Sequence, residues 1–421
     1  MAEALPTVLR AYLGATTLLE PVAPWVLRWR LRRGKEDPVR WREKLGAPSA
    51  PRPEGQLVWM HAVGLGEVMA LRGLIARMAG ARPDLSFLVT STARSSGEVF
   101  ARNLPAHTQH QYLPLDLPGA AARFLAHWRP DLSVWAEQDL WPGLVARALL
   151  RDVPVALVNA RMDATSFAAR NRWRGVYAPL LARMSCLSAQ DAVSARHLER
   201  LGGRNVAVTG TLKAAAPPLG HDAGRLAAMR VATAGRTLWL LASSHPEDEA
   251  VALAAHRLRL ASDPGSLLLI VPRDVRRGEN LVRAAGAAGL RAARLGQVTA
   301  PEAGVQVFVA DSYGEMGLWL RLCPVALIGG TYGPVEGHNP WEAVRLGAAV
   351  LHGPRVANFQ GDYRALGPQG ALMCPDPQAV ASALARDFTA QRAHATRVAE
   401  AAARGADQLA ANLLALIGRR G

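Results

Sequence analysis

Cysteine is scarce in this 421-residue chain: Cys186, Cys323 and Cys374 stand far apart, with no CxxC pair and no histidine at ligand spacing. That excludes a disulfide framework and a thiolate zinc site, and it fits a reducing compartment. Lysine is scarcer still within its class. Of 49 basic residues only Lys35, Lys44 and Lys213 are lysine; the imbalance reads as a coding bias toward arginine, and a lysine that survives it either marks a position where a guanidinium will not do or persists by drift. Aromatics make up 6% of the chain, and no stacking platform interleaves with the arginines. Zinc-finger, RRM and basic-zipper patterns are also missing, which argues against a nucleic-acid partner. No apolar run is long and uncharged enough to span a bilayer. The best candidate, residues 4–27, is interrupted by Arg10, Glu20 and three prolines, whereas a spanning helix needs about 20 apolar residues with few or no charges. The same stretch lacks the basic n-region and small-residue cleavage site of a secretory signal.

What is present describes a folded globular protein. Half the residues are apolar and a fifth are charged, and the length suits two or three domains with their own cores. The net charge of +15 is uneven: residues 1–205 hold 27 basic against 17 acidic side chains. The excess is densest in RWRLRRGKEDPVRWREK (28–44), with eight basic residues against three acidic. An apolar segment followed by such a cluster reads as an interfacial anchor on an anionic leaflet. The competing reading is an N-terminal helix docked on its own domain.

Short apolar runs alternate with longer amphipathic stretches. The strand candidates are LVWMHA (57–62), SFLVTS (86–91), LSVWA (132–136) and VALVNA (155–160), then VAVTG (206–210), TLWLLAS (237–243), SLLLIVP (266–272), VQVFVA (305–310), VALIGG (325–330) and AVLHG (349–353). Most are uniformly apolar, as strands covered on both faces must be, and their spacing leaves room for a crossover helix each time. The expected fold is α/β: two Rossmann-like domains facing across a cleft, at residues 46–209 and 225–395. A segment rich in Ala, Pro and Gly (210–224) links them, residues 1–45 form the membrane-associating segment, and 396–421 form a C-terminal helix.

The stretch HAVGLGE (61–67) puts two glycines and a carboxylate where a buried strand turns into a helix. Glycine tolerates a tight turn and lets another molecule approach closely. Glu67 would then sit in the first helical turn, beside the positive end of the dipole. That placement suits a general base, although a first-turn acid that merely complements the dipole is the common case. In doubly wound sheets ligands bind beyond the carboxyl ends of the strands, and the notable polar residues fall there: Glu67, Glu137, Asn159, Lys213, Ser243, Ser244, Arg273, Asp311 and the loop after VALIGG.

Nine segments, RRGKED (32–37), HAVGLGE (61–67), AEQDLWP (136–142), NARMDATS (159–166), GTLK (210–213), ASSHPEDE (242–249), VPRD (271–274), DSYGEMGLW (311–319) and GGTYGPVEGHNPWE (329–342), together resemble the 3-deoxy-D-manno-octulosonic acid (Kdo) transferases. They stand in that family's order. The resemblance implies a GT-B fold and a glycosyltransferase of lipopolysaccharide biosynthesis. Its donor would be CMP-Kdo, its acceptor a lipid A precursor, and its place the cytoplasmic face of the inner membrane, with no metal and no cofactor. It makes 46–209 the acceptor domain and 225–395 the CMP-sugar domain. It makes Glu67 the general base and gives Glu137 and Lys213 transition-state stabilisation. Pro272, Arg273, Gly314, Glu315, Met316, Asn339, Pro340, Trp341 and Glu342, with Ser243 and Ser244, would hold CMP. Lys35, Asn159 and Arg161 are the acceptor-side candidates, with helix capping as the alternative for Asn159 and Arg161. His338 reads as a turn residue, and Trp319 and the cysteines as core.

The chemistry agrees with that assignment. Displacing CMP from a keto-sugar builds oxocarbenium character at the anomeric carbon and negative charge on the departing phosphate. Arg273 or Lys213 could meet that charge. The chain departs from the family pattern at Gly64, at Glu247-Asp248-Glu249, at Glu336 and at Asp274, where the family usually has histidine. A carboxylate at 274 opposes an anionic donor unless Arg276 or Arg277 neutralises it. A GT-B-like nucleotide-sugar epimerase and a non-catalytic lipid- or nucleotide-binding paralogue are the alternative readings.

Overall fold

The computed structural model describes residues 6–63, 65–94, 97, 100, 104–137 and 140–418. Gly64, Gln138, Asp139 and the first residues of the N-terminal apolar segment lie outside the described residues. The chain forms two compact units, Met1–Ala216 with Ala401–Gly421, and Pro217–Glu400. The division after Ala216 falls within the Ala/Pro/Gly-rich stretch 210–224.

The first unit is built on a parallel seven-stranded sheet of order β3-β2-β1-β4-β5-β6-β7. Its strands are β1 (Leu57–His61), β2 (Ser86–Ser91), β3 (Thr108–Tyr112), β4 (Leu132–Ala136), β5 (Val155–Ala160), β6 (Cys186–Ala189) and β7 (Ala207–Val208). The uniform apolarity of β1 has a direct cause. Leu57 and Trp59 pack into the core on one face, with Trp135 and Phe124, while Val58 and Met60 pack into the core on the other, with Val89 and Val134. Alternate side chains point to opposite faces, so a strand with a core on each side can leave few positions polar.

The second unit repeats the plan with order β10-β11-β9-β8-β12-β13-β14. These strands are β8 (Leu238–Ser244), β9 (Leu267–Pro272), β10 (Ala292–Arg294), β11 (Val307–Val309), β12 (Val325–Ile328), β13 (Ala349–His352) and β14 (Ala371–Met373). Each apolar run expected to be a strand contains one. Four strands escape the sequence reading. The edge strands β3, β10 and β14 carry polar or half-exposed residues, and β6 has only four residues, so none presents the apolar run that signals a doubly covered strand.

The C-terminal helix, Thr389–Ile417, is longer than the run read from 396. From Ala401 it belongs to the first unit, where Ala406, Leu409, Leu413 and Ile417 enter the same core as Val58 and Met60. Its approach needs a glycine: a Cβ on Gly405 would lie 2.1 Å from the Thr209 carbonyl oxygen.

At the N-terminus the helices Thr7–Leu18 and Ala23–Arg32 are two-faced. Leu9, Ala23 and Leu27 are buried, and the Tyr12 hydroxyl donates to Asp116 Oδ2 at 2.8 Å. On the other side Leu18, Leu19, Val22, Trp25 and Trp29 are exposed, Trp25 by 74%. Arg10, Arg28, Arg32, Arg33 and Lys35 are exposed among them, and the Arg33 guanidinium lies 3.9 Å from the Trp29 ring centroid. Among the described residues no helix is long and apolar enough to cross a membrane.

Candidate functional site

In the first unit the strand order reverses at the β1/β4 pair, and the sequence-predicted residues collect at the carboxyl ends of β1, β4 and β5. Glu67 lies in the first turn of the helix Leu65–Ala81, half-buried, and its Oε2 accepts the Val63 amide at 3.0 Å. The carboxylate thus closes the turn that brings it beyond β1. Beneath it His61 is fully buried, with Nδ1 3.0 Å from the Thr90 carbonyl, and burial pushes its pKa down to about 3. His61 is therefore a neutral core residue at the base of the turn.

Glu137, Asn159 and Lys213 come together. Glu137 follows β4 directly; its Oε1 lies 3.6 Å from Lys213 Nζ and 3.4 Å from Asn159 Nδ2. Asn159 Oδ1 accepts the Leu212 amide at 3.0 Å, so the buried Asn159 ties the end of β5 to the segment that carries Lys213. Both Glu137 (φ 62°) and Asn159 (φ 54°) adopt left-handed backbone. Asparagine tolerates that region, but for glutamate it is a strained conformation, of the kind that persists where surrounding structure enforces it and that clusters at functional sites. Arg161 lies one residue beyond β5, near Asp163, which caps the helix Ala164–Asn171 by accepting the Ser166 amide at 2.8 Å. Helix capping here belongs to Asp163, and Asn159 serves the Lys213 segment. Lys35 is exposed in the turn after the second helix.

The second unit gathers its candidates where β8, β9 and β12 end. Ser243 (φ 56°) is again left-handed, and a Cβ on Gly329 would lie 2.4 Å from the Ser243 carbonyl oxygen, so this crossing of β8 and the loop after β12 requires glycine. Ser244 is buried and donates to Glu249 Oε1 at 3.0 Å. Arg273 emerges beyond β9 with its guanidinium exposed. Asn339 and Glu342 hydrogen-bond through their side chains; burial raises the Glu342 pKa, opposed by that bond and by the nearby Arg273 charge. Trp341 is buried and donates its indole N–H to Asp362 Oδ1 at 2.8 Å, while Glu315 engages Arg225 and Ser312. Gly314 takes φ 84° just before Glu315, and Met316 opens the next helix.

The carboxylate at 274 is neutralised. Arg276 donates to it twice, at 2.9 and 2.8 Å, and lowers its pKa to about 2. Arg277 instead pairs with Glu249 at 2.5 Å. Sequence reasoning missed Asp248, which is buried and accepts four amides, from His245, Gly330, Thr331 and Tyr332, at 2.6 to 3.1 Å. It pins the loop after β12 to the start of the helix Pro246–Ser262, and the acidic run Glu247-Asp248-Glu249 was the only signal. The Lys44–Glu36 pair, at 2.5 Å and almost fully buried, was also missed. Cys323, Cys374 and Trp319 are core, and no metal-binding group of His, Cys, Asp or Glu occurs among the described residues.

Residues 39–216 match the family model described as 3-deoxy-D-manno-octulosonic-acid transferase (kdotransferase). A probable mitochondrial 3-deoxy-D-manno-octulosonic acid transferase of Arabidopsis thaliana is 33% identical over 372 residues, 85% of this chain and 82% of that protein. The 3-deoxy-D-manno-octulosonic acid transferase of Bordetella pertussis is 33% identical over 383 residues, 86% of this chain and 87% of that protein. Among solved structures, a glycosyltransferase from Rickettsia africae ESF-5 superposes with TM-score 0.54 at 10% identity, covering 88% of this chain and all of that one. A UDP-GlcNAc 2-epimerase from Neisseria meningitidis gives TM-score 0.54 at 12% identity, covering 86% and 100%. At such identities these two likenesses describe the fold alone, which is GT-B.

Proposed function

The chain belongs to the 3-deoxy-D-manno-octulosonic acid transferase family and is a glycosyltransferase, and we propose that it moves Kdo from CMP-Kdo to a lipid A precursor with inversion, at the cytoplasmic face of the inner membrane. The observation that supports this most is the similarity to Kdo transferases, which extends through both units. The epimerase alternative has only fold likeness behind it.

In the proposed reaction the acceptor hydroxyl attacks the anomeric carbon as the bond to the CMP phosphate breaks. Glu67 takes the hydroxyl proton, and its bond to the Val63 amide orients the carboxylate at the end of β1. Glu137 and Lys213 stabilise the charge that develops as the bond to CMP breaks. Arg273 meets the phosphate that leaves with the electron pair, and Asp274 does not oppose it because Arg276 already holds that carboxylate. Asn339 and Glu342 are assigned to the ribose hydroxyls. No step calls for a metal or cofactor.

The N-terminal helices supply the membrane contact in this reading. Their exposed tryptophans and leucines enter the headgroup region, and the surrounding arginines meet anionic lipid. The test of the function is direct. Purified protein incubated with CMP-Kdo and a lipid A precursor should release CMP and raise the lipid mass by whole Kdo units. Turnover of a soluble nucleotide sugar with no lipid present would replace this reading with the epimerase.

A further inference from the structure

His245 and His338 form a nearly coplanar, edge-to-edge pair that the assigned chemistry does not use. Their ring planes are 13° apart with centroids at 5.1 Å, and the two Nε2 atoms lie 2.8 Å from each other. Such a contact holds one proton, so one ring must donate and the other accept. The helix that follows decides which. His245 is the N-cap of Pro246–Ser262 in a reciprocal capping box: its amide donates to Asp248 Oδ2 at 2.9 Å, and its ring accepts the Asp248 amide. Since Nε2 faces His338, the accepting atom of His245 is Nδ1, which leaves its proton on Nε2. His338 therefore accepts at Nε2 and carries its own proton on Nδ1. That N–H has no hydrogen-bond partner among the described residues.

The surroundings favour an anion there. Arg273 lies within electrostatic reach of both His338 and Glu342. Two of the acidic groups around the pair are occupied: Asp248 is saturated by four amides and Glu336 is paired with Arg355, while Glu247 is exposed with its carboxylate beside Gly333. Tyr363 donates to the His338 carbonyl and packs at a tilt of 47° against His352. Burial, His245 and Arg273 together keep His338 neutral near physiological pH, with a pKa of about 4. Its ring is then a neutral donor of fixed tautomer.

We propose that His338 donates its Nδ1–H, beside the Arg273 guanidinium, to an anionic oxygen of the nucleotide donor, and that His245 is the positioning residue that fixes the proton on that nitrogen. The proposal rests on the assignment of this end of the second unit to CMP. It also supplies a histidine donor in a chain that has Asp274 where the family usually has histidine.

The test is calorimetric titration of the full-length protein with CMP and, separately, with cytidine, which lacks the phosphate. His338→Phe should weaken CMP about 10-fold and leave cytidine within about 2-fold. His245→Phe should weaken CMP by a smaller factor, with His245→Gln, whose amide can still donate to His338 Nε2, restoring it. The double Phe variant should be no worse than His338→Phe alone, because the two rings act as one unit. Equal loss of CMP and cytidine binding in the His338 variant would mean a structural role and overturn the proposal. Unchanged CMP binding there, with Arg273→Ala still weakened, would overturn it while leaving the donor site intact. If the wild type binds no CMP, the donor-site assignment falls and this proposal falls with it.

Discussion

Lys213 Nζ stands 3.6 Å from Glu137 Oε1 at the carboxyl end of the first sheet, both side chains largely buried, with Asn159 bonded to the carboxylate and to the segment that carries the lysine. In a chain with 46 arginines the lysine is informative. A small ammonium can serve the carboxylate and a reacting group in turn, where a guanidinium would fill the space. Lys213→Ala should lower turnover by about 10² to 10³ with CMP binding unchanged, and Lys213→Arg should not restore it. Full activity in the arginine variant would show that only charge is needed.

Glu67→Gln should keep the fold, because the amide oxygen can still accept the Val63 N–H. Turnover should drop by about 10² to 10⁴, the scale of general-base catalysis, with CMP affinity unchanged. Near-normal turnover would reduce Glu67 to a complement of the helix dipole.

At the donor end, Arg273→Ala should weaken CMP by roughly 1.5 to 3 kcal/mol, the range for hydrogen bonds to charged groups. Asp274→His should leave CMP affinity within about 2-fold, since Arg276 already cancels the carboxylate. Calorimetry on both variants checks this. Abolished binding in Asp274→His would mean that the acid makes a required contact of its own.

The membrane reading is best tested with point variants, because deleting the N-terminal helices would also strip Leu9 and Leu27 from the core. Trp25→Ser with Trp29→Ser should weaken sedimentation with anionic vesicles and leave thermal stability unchanged. Added salt should weaken wild-type binding as the Debye length shrinks. Equal binding to neutral and anionic vesicles would remove the electrostatic part.

Histidines largely shielded from solvent set an acid limit on stability. Burial lowers the pKa of His61 and His110 to about 3 and of His256 to about 4, against 6.5 for an ordinary histidine. Below pH 6.5 the unfolded chain therefore binds protons that the folded chain refuses. Their contribution is fully present above that pH and is lost as pH falls toward 4, at up to roughly 1.4 kcal/mol per pH unit for each. Denaturant unfolding at pH 7.5, 6 and 5 should show the decline, and a flat profile across that range would contradict it.

The sequence by itself determined the two sheets and much of the candidate site. Strands covered on both faces must be largely apolar, so β1, β4, β5, β8 and β9 announce themselves, and their carboxyl ends locate Glu67, Glu137 and Arg273 without further information. The edge strands β3, β10 and β14 were invisible because one flank is open and polar residues there cost little. Tertiary structure alone decided the partners. Arg276, rather than Arg277, neutralises Asp274, although both are close in sequence, because Arg277 is turned to Glu249 on the helix after β8. Asp248 looked like one more first-turn acid until the loop after β12 brought three of its four amides to it. Asn159 and Lys213 are 54 residues apart in the chain and meet only because β5 and the segment after β7 end on the same side of one sheet. Hydrogen bonds and ion pairs depend on distance and direction, and in an α/β fold those are set by strand order, which no local pattern of residues encodes.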